Sequence, residues 1–337
     1  MNLFINGEFK ACYHAIEYID EAYFQAHARS DQMWDVLKRR SHKHPPPVQT
    51  IWIIRSGDDV TFFDLHTLLL SQDMTTYAGF QAVEALIDLN EYIDYLLISD
   101  YGVTVDWPWK NWIYARERVP GGKFGLYLWD CGCALGKFSE GPVDYKLLRK
   151  KCLSDDYVPM IFNRMRHNPE FRLRFADRIQ KHLFNGGALT DAHILKRYQE
   201  LKAEVQAMRE YVYGRFNNRI EIQWIPQRKA HMFAEFKEFG LWPDVVAPTV
   251  DIPAGPVVPG ARIQLTHTNT GGILYFNTQG LDPRLPGSGK VAEHAKIYDQ
   301  SLLIEQRTHL KARVLLQNQW SPLLELTWIL ADPSGPP

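Results

Sequence analysis

The sequence predicts an α+β protein in three stretches: a mixed region over 1–241, a Pro-rich linker over 242–260, and a small all-β sandwich over 261–332. Three observations carry that reading. Hairpin signals, each a tight turn between short extended runs, mark the first 130 residues. Two long amphipathic helical patterns follow between residues 168 and 216. Past residue 261 the apolar spacing becomes two, in short runs separated by Gly, Pro and Asn.

Taken in order, Asn6-Gly7 is the strongest two-residue hairpin signal, lying between Leu3-Phe4-Ile5 and the run from Phe9 to Ile16. A short helix is expected over 20–28. His42-Lys43-His44-Pro45-Pro46-Pro47 then reads as a solvated loop, because three prolines remove donors and favour extended backbone. Residues 49–55, with Ile51-Trp52-Ile53-Ile54, read as a buried strand. Over 81–99, Val83, Leu86, Ile87, Ile93, Leu96 and Leu97 form one helical stripe. The runs 111–116 and 123–129 are strand-like, and Pro120-Gly121-Gly122 joins them.

Asn168-Pro169-Glu170 supplies a cap residue, a proline at the first helical position and an acid at the positive end of the dipole. Phe171, Phe175, Ile179 and Leu183 line one face until Asn185-Gly186-Gly187 stops the helix. A second helix starts at Thr190-Asp191 and carries Ile194, Tyr198, Leu201, Val205 and Met208 toward Phe216. Pro243, Pro248, Pro253, Pro256 and Pro259 make the linker semi-extended. Beyond it, Ile263 and Leu265, Ile273 and Tyr275, Leu310 through Leu316, and Leu324, Leu326 and Trp328 alternate, before a breaker-rich tail over 332–337.

The 337 residues carry 45% hydrophobic and 23% charged side chains, a globular composition with a full-sized core. Net charge is −1, from 38 basic against 39 acidic groups, so no global field draws the chain to nucleic acid or to an anionic membrane. No run approaches the roughly 20 apolar residues of a transmembrane helix. The first seven residues lack the basic and apolar regions of a secretory leader, and a pattern that opens inside a strand predicts an upstream segment. Cys12, Cys131, Cys133 and Cys152 are too few and too irregular for a disulfide framework, and Cys131-Gly132-Cys133 has no partner pair at zinc-site spacing.

Polar and aromatic signals are densest between Asp100 and Gly136, as Asp106-Trp107-Pro108-Trp109-Lys110-Asn111-Trp112, the hairpin, and Leu128-Trp129-Asp130-Cys131-Gly132. The arrangement follows the logic of phosphoryl transfer. A loop carboxylate (Asp106) orients or deprotonates a hydroxyl, an amide a few residues on (Asn111) binds metal, and a carboxylate at a strand end (Asp130) holds metal against phosphates. On spacing alone each also fits a structural use: Asp106 capping a turn, Asn111 satisfying backbone, Asp130 ending a strand. There is no Gly-rich phosphate loop, zinc-protease pair or nucleophile elbow.

Three segments resemble the CotH kinase-like family of bacterial spore-coat and surface proteins. They are Asn6-Gly7-Glu8-Phe9 through Tyr13, Glu17 and Asp20; Asp106 to Gly136; and Asn168-Pro169-Glu170-Phe171 through Asp177 to Thr190. The resemblance implies an atypical protein kinase fold, lacking part of its N-terminal lobe, that uses ATP with Mg²⁺ or Mn²⁺ to phosphorylate Ser or Thr of a surface or coat protein. It implies catalytic roles for Asp106 and Asp130 and metal ligation by Asn111 and Asp130. Glu17, Lys38 and Trp129 fall on the nucleotide side, although Glu17 also reads as a surface carboxylate, Lys38 as part of a solvated basic run, and Trp129 as a core residue. The family setting implies a cell-surface or extracellular location.

Two departures point to an alternative, a catalytically impaired pseudokinase serving as a structural or binding module of the cell envelope. Gly132 stands where the family has a second aspartate, and the leading strands of the nucleotide-covering lobe are absent. The C-terminal part, Gly272 through Arg284, Tyr298, Leu310-Lys311-Ala312-Arg313 and Trp320-Ser321, resembles the chitobiase/β-hexosaminidase C-terminal-type domain. That resemblance implies an accessory sandwich, with carbohydrate as a candidate ligand.

Overall fold

The computed structural model of the chain describes residues 2–12, 16–39, 52–136, 141–206 and 218–331. The expected loop at His42 and His44, the later part of the helix after Thr190, and the tail over 332–337 lie outside them. Helices and sheets alternate irregularly, an α+β architecture as the sequence predicts. The helices are α1 (Glu21–Ala28), α2 (Val60–Ser71), α3 (Tyr77–Glu84), α4 (Leu89–Gly102), α5 (Leu147–Lys151), α6 (Tyr157–Met165), α7 (Pro169–Leu183), α8 (Asp191–Gln206) and α9 (Ile225–Glu238). Among the described residues no helix is long and apolar enough to cross a membrane. The chain folds as two compact units, one of Met1–Asp73, Gln81–Arg164 and Asp191–Met232, the other of Met74–Phe80, Met165–Thr190 and Phe233–Pro337.

In the first unit, β1 (Asn2–Ile5) and β2 (Glu8–Cys12) form a hairpin turning at Asn6 and Gly7. Both turn residues have positive φ, 53° and 79°, as a two-residue turn of this hand requires. The central sheet runs in the order β4-β3-β5-β6, from β3 (Trp34–Arg39), β4 (Trp52–Ser56), β5 (Trp112–Glu117) and β6 (Gly125–Leu128). One face packs on α1, where Phe24 stacks on Trp34 and Val36, Ile113 and Ala115 complete the core. Against the other, Phe62 of α2 meets Tyr114 of β5 and Tyr157 of α6.

The stripe over 81–99 is two helices rather than one. Asp88 accepts hydrogen bonds from the backbone of Asn90 and Glu91 and so caps α4, while its own N–H donates to Phe124 O at 2.8 Å. The break pairs with the β5–β6 hairpin, an interaction that helical periodicity does not register. The buried face of α4 still carries Ile93, Leu96 and Leu97 as expected.

In the second unit, α7 starts as the sequence predicts: Asn168 Oδ1 accepts from Glu170 N and Phe171 N, with Pro169 following it. Its stop is equally local. A Cβ at Gly187 would lie 2.2 Å from Lys181 O, so only glycine fits where the chain turns back. The β-rich part holds β7 (Thr249–Val250), β8 (Gly255–Val257), β9 (Ala261–Ile263), β10 (Leu265–Thr266), β11 (Ile273–Asn277), β12 (Lys296–Ile297), β13 (Leu302–Ile304), β14 (Thr308–Leu316), β15 (Gln319–Trp320) and β16 (Leu324–Leu330). A six-stranded sheet, β12-β11-β14-β16-β8 with β15 on β14, closes a core with the pairs β13-β9 and β10-β7.

Within the Pro-rich stretch, β8 pairs with β16 at the sheet edge, where Pro256 costs no central ladder bond. On β11 the buried apolar residues are Leu274 and Phe276, the opposite phase from Ile273 and Tyr275. All four are apolar, so alternation could not fix which pair faces inward.

Candidate functional site

The β5–β6 hairpin positions the site. Its register sets Trp112 opposite Leu128, so the residues just outside the strands, Asn111 before β5 and Trp129-Asp130 after β6, emerge at one end of the sheet. Asn111 and Asp130 have φ of 67° and 51°, the left-handed region that Asn and Asp tolerate best, and both mark abrupt departures from the strands. The loop between α4 and β5 brings Asp106 to the same end. Trp107, 1% exposed, anchors this loop in the core, and Trp112 Nε1 donates to Pro108 O at 3.1 Å.

Asn111 joins the three segments. Its Nδ2 donates to Asp106 Oδ2 at 2.8 Å and to the backbone oxygen of Asp130 at 2.9 Å. Tyr95 of α4 fixes the backbone beneath by donating from its hydroxyl to Asn111 O at 3.2 Å. The structure thus brings Asp106, Asn111 and Asp130 together, through the main chain of Asp130 rather than its carboxylate. Lys110 adds a fourth group, its Nζ 3.1 Å from Asp106 Oδ2. That contact pushes the ammonium up, so Lys110 carries its charge throughout the neutral range.

Four oxygens in this cluster are uncommitted among the described residues. Asp106 Oδ1 is buried without a hydrogen-bond partner. The Asp130 carboxylate is exposed and accepts no hydrogen bond, and Asn111 uses only its nitrogen. Such an all-oxygen donor set suits a hard divalent cation. No group of three or more His, Cys, Asp or Glu poised to hold a metal occurs among the described residues. The adjoining Cys131 and Cys133 are free, and both thiols are pushed up, by burial first and then by the neighbouring Asp106 and Asp130 carboxylates.

Lys38 reaches the same end from β3. Its Nζ lies 3.9 Å from the centroid of the Trp129 ring. Burial and the nearby Arg55 lower its affinity for a proton, while Asp130 opposes them. The strand pairing explains the convergence: β5 separates β3 from β6, and a long side chain spans the gap. Glu17 is not joined to Lys38. It is exposed and bonded to His27 Nε2 at 3.2–3.3 Å. Sequence reasoning overlooked Lys110 and Arg55. Lys110 had a usable signal, a cation four residues after an aspartate, whereas Arg55 is visible only once β4 is paired with β3.

Among the comparisons with known proteins, the family model described as CotH kinase protein matches residues 1–229, more than half of the chain. No curated protein matches.

Proposed function

Because the chain belongs to the CotH kinase family, we propose that its first unit transfers the γ-phosphoryl group of ATP to a Ser or Thr hydroxyl of a surface or coat protein. The observation that carries this reading is the Asn111 bridge, which fixes Asp106 and the Asp130 segment at one end of the sheet. The Asp106 carboxylate, held at this end of the sheet by Asn111, accepts the proton of the acceptor hydroxyl. As that proton leaves, the hydroxyl oxygen bonds to the γ-phosphorus, the bond to the bridging oxygen breaks, and ADP departs. Lys110 holds the other oxygen of Asp106 and keeps the carboxylate oriented.

Asp130 and Asn111 supply oxygens for a divalent cation, whose charge would neutralise the phosphate oxygens during transfer. Lys38, set over Trp129, is the group in reach of the nucleotide phosphates. Purified full-length chain with Mg²⁺ or Mn²⁺ and γ-labelled ATP should label an acceptor or itself, and Asp106→Ala should cut the rate by at least about a hundredfold. Undiminished transfer by that variant would remove Asp106 from the mechanism.

A second reading is favoured by Gly132, which leaves Asp130 without a neighbouring carboxylate. On this reading the family fold serves the cell envelope as a binding or structural module. A thermal shift separates the two, since a ligand bound only by the folded state raises its stability by about 2.7 kcal/mol at a hundredfold excess over Kd. Stabilisation by ATP with metal favours transfer, and its absence favours the module.

A further inference from the structure

The second unit holds a cleft of about 580 Å³ whose walls come from the start of α7, the end of α9 and the residues after it, and the β14–β15 turn. One wall is Trp242. Phe184 stacks against it at 5.5 Å with ring planes 13° apart, and Phe233 meets it edge-on at 5.2 Å. The two rings hold the indole in place where it contributes to the lining of the cleft. A second indole, Trp320, closes the floor, its Nε1 already donating to Gly289 O at 2.7 Å.

The polar groups on the walls have a definite charge balance. Arg284 is neutralised by Glu170, to which it donates from both terminal nitrogens. Arg172 gives Nε to Arg166 O and Nη2 to His167, and its Nη1 donates to nothing among the described residues. Lys237 is exposed in the last turn of α9. Neither Arg172 nor Lys237 has a carboxylate partner among the described residues, and the one acid on the wall is the exposed Asp244. Two unpaired cations facing one carboxylate leave an excess of a single positive charge. Asn318 on the β14–β15 turn and Gln319 at the start of β15, both exposed, add amides that both donate and accept.

We propose that this cleft binds a saccharide carrying one negative charge, of the uronic acid type. A pyranose ring has a C–H face that lies against an indole, whose π face is electron-rich. Its hydroxyls need groups that donate and accept, which the two amides and Asp244 provide. Its carboxylate is met by the planar fork of Arg172, with Lys237 adding a second charge. The single excess charge favours this ligand over a nucleotide, whose phosphates carry several charges and would meet Asp244. The site lies wholly in the second unit and does not depend on the phosphotransfer reading.

The test is calorimetric titration of the full chain with a glucuronate-containing disaccharide, its neutral glucose counterpart, ATP and an acidic peptide. The acidic disaccharide should bind at least about tenfold tighter than the neutral one. Arg172→Gln with Lys237→Gln should erase that preference while keeping a single cooperative melt. Trp242→Phe keeps a ring on Phe184 and should weaken both sugars together. Equal binding of the two sugars, tighter binding of ATP or the peptide, or no binding at millimolar sugar would each overturn the proposal.

Discussion

Gly132 is the position where one side chain decides between the two readings of the kinase-type site. Its φ is outside the left-handed region, and a Cβ built there meets only Asp130 Oδ1, at 3.4 Å, an ordinary contact. A side chain at 132 therefore needs no backbone change and would stand beside the carboxylate proposed to hold the cation. Two adjacent carboxylates repel each other until a cation joins them, so each raises the site's affinity for divalent metal. Gly132→Asp should tighten Mn²⁺ binding by about tenfold or more in titration, and increase the thermal stabilisation given by ATP with Mn²⁺. Asp130→Asn combined with Gly132→Asp should lose most of that gain. Unchanged Mn²⁺ affinity in the single variant would show that Asp130 faces no metal position.

At the scale of elements, what could be read in advance was whatever is decided locally. The Asn6-Gly7 hairpin, the Pro120-Gly121-Gly122 turn and the start of α7 each depend on residues a few positions apart. β3 went unread for the opposite reason. It is the strand between β4 and β5 and is buried on both faces at Trp34, Asp35, Val36 and Leu37, so it shows no alternation, and its Asp35, Lys38 and Arg39 resemble a surface segment. Asp35 is tolerated because Arg116 and Arg118, distant in sequence, pair with it. In the candidate site, the residue types and spacing were legible, but the bridging role of Asn111 depends on hairpin register and on Tyr95.

Asn168 shows how much one cap can hold. Asn168 itself is fully buried, and besides accepting from Glu170 N and Phe171 N, its Nδ2 donates to Met74 O at 2.7 Å and to Thr76 O at 2.8 Å. Asn168→Ala removes the cap and strands two carbonyls, at a cost of about 2–4 kcal/mol in denaturant unfolding. Asn168→Ser, which restores only the cap, should recover about 1 kcal/mol. A loss below that from the alanine variant would mean the two carbonyls find other donors.

For the molecule as a whole, the consequential question is where the chain can be cut. Composition suggests the Pro-rich stretch, yet within the second unit α7 is tied to strands far beyond it. Asp177 takes both terminal nitrogens of Arg313 at 2.7 Å and accepts from Leu323 N, while Glu170 is held by Arg284 and by Gly287 N at 3.0 Å. Arg313 is 2% exposed and also binds Asp282, whose carboxyl burial would raise but Arg313 holds below the usual range. Removing one partner of such a buried pair costs about 3–5 kcal/mol, because the remaining charge stays desolvated. A chain ending at residue 241 loses both arginines together and leaves Phe171, Phe175 and Phe236 without the β-rich part of their unit. That truncation should be insoluble or lack a cooperative melt, although it keeps every residue matched to the kinase family. Charge and packing can be separated in the full chain. Arg313→Met should destabilise strongly, and adding Asp177→Leu and Asp282→Leu should recover much of the loss, since the stranded acids are then gone. A soluble 1–241 fragment with the cooperative unfolding of an intact domain would show that α7 does not need these strands.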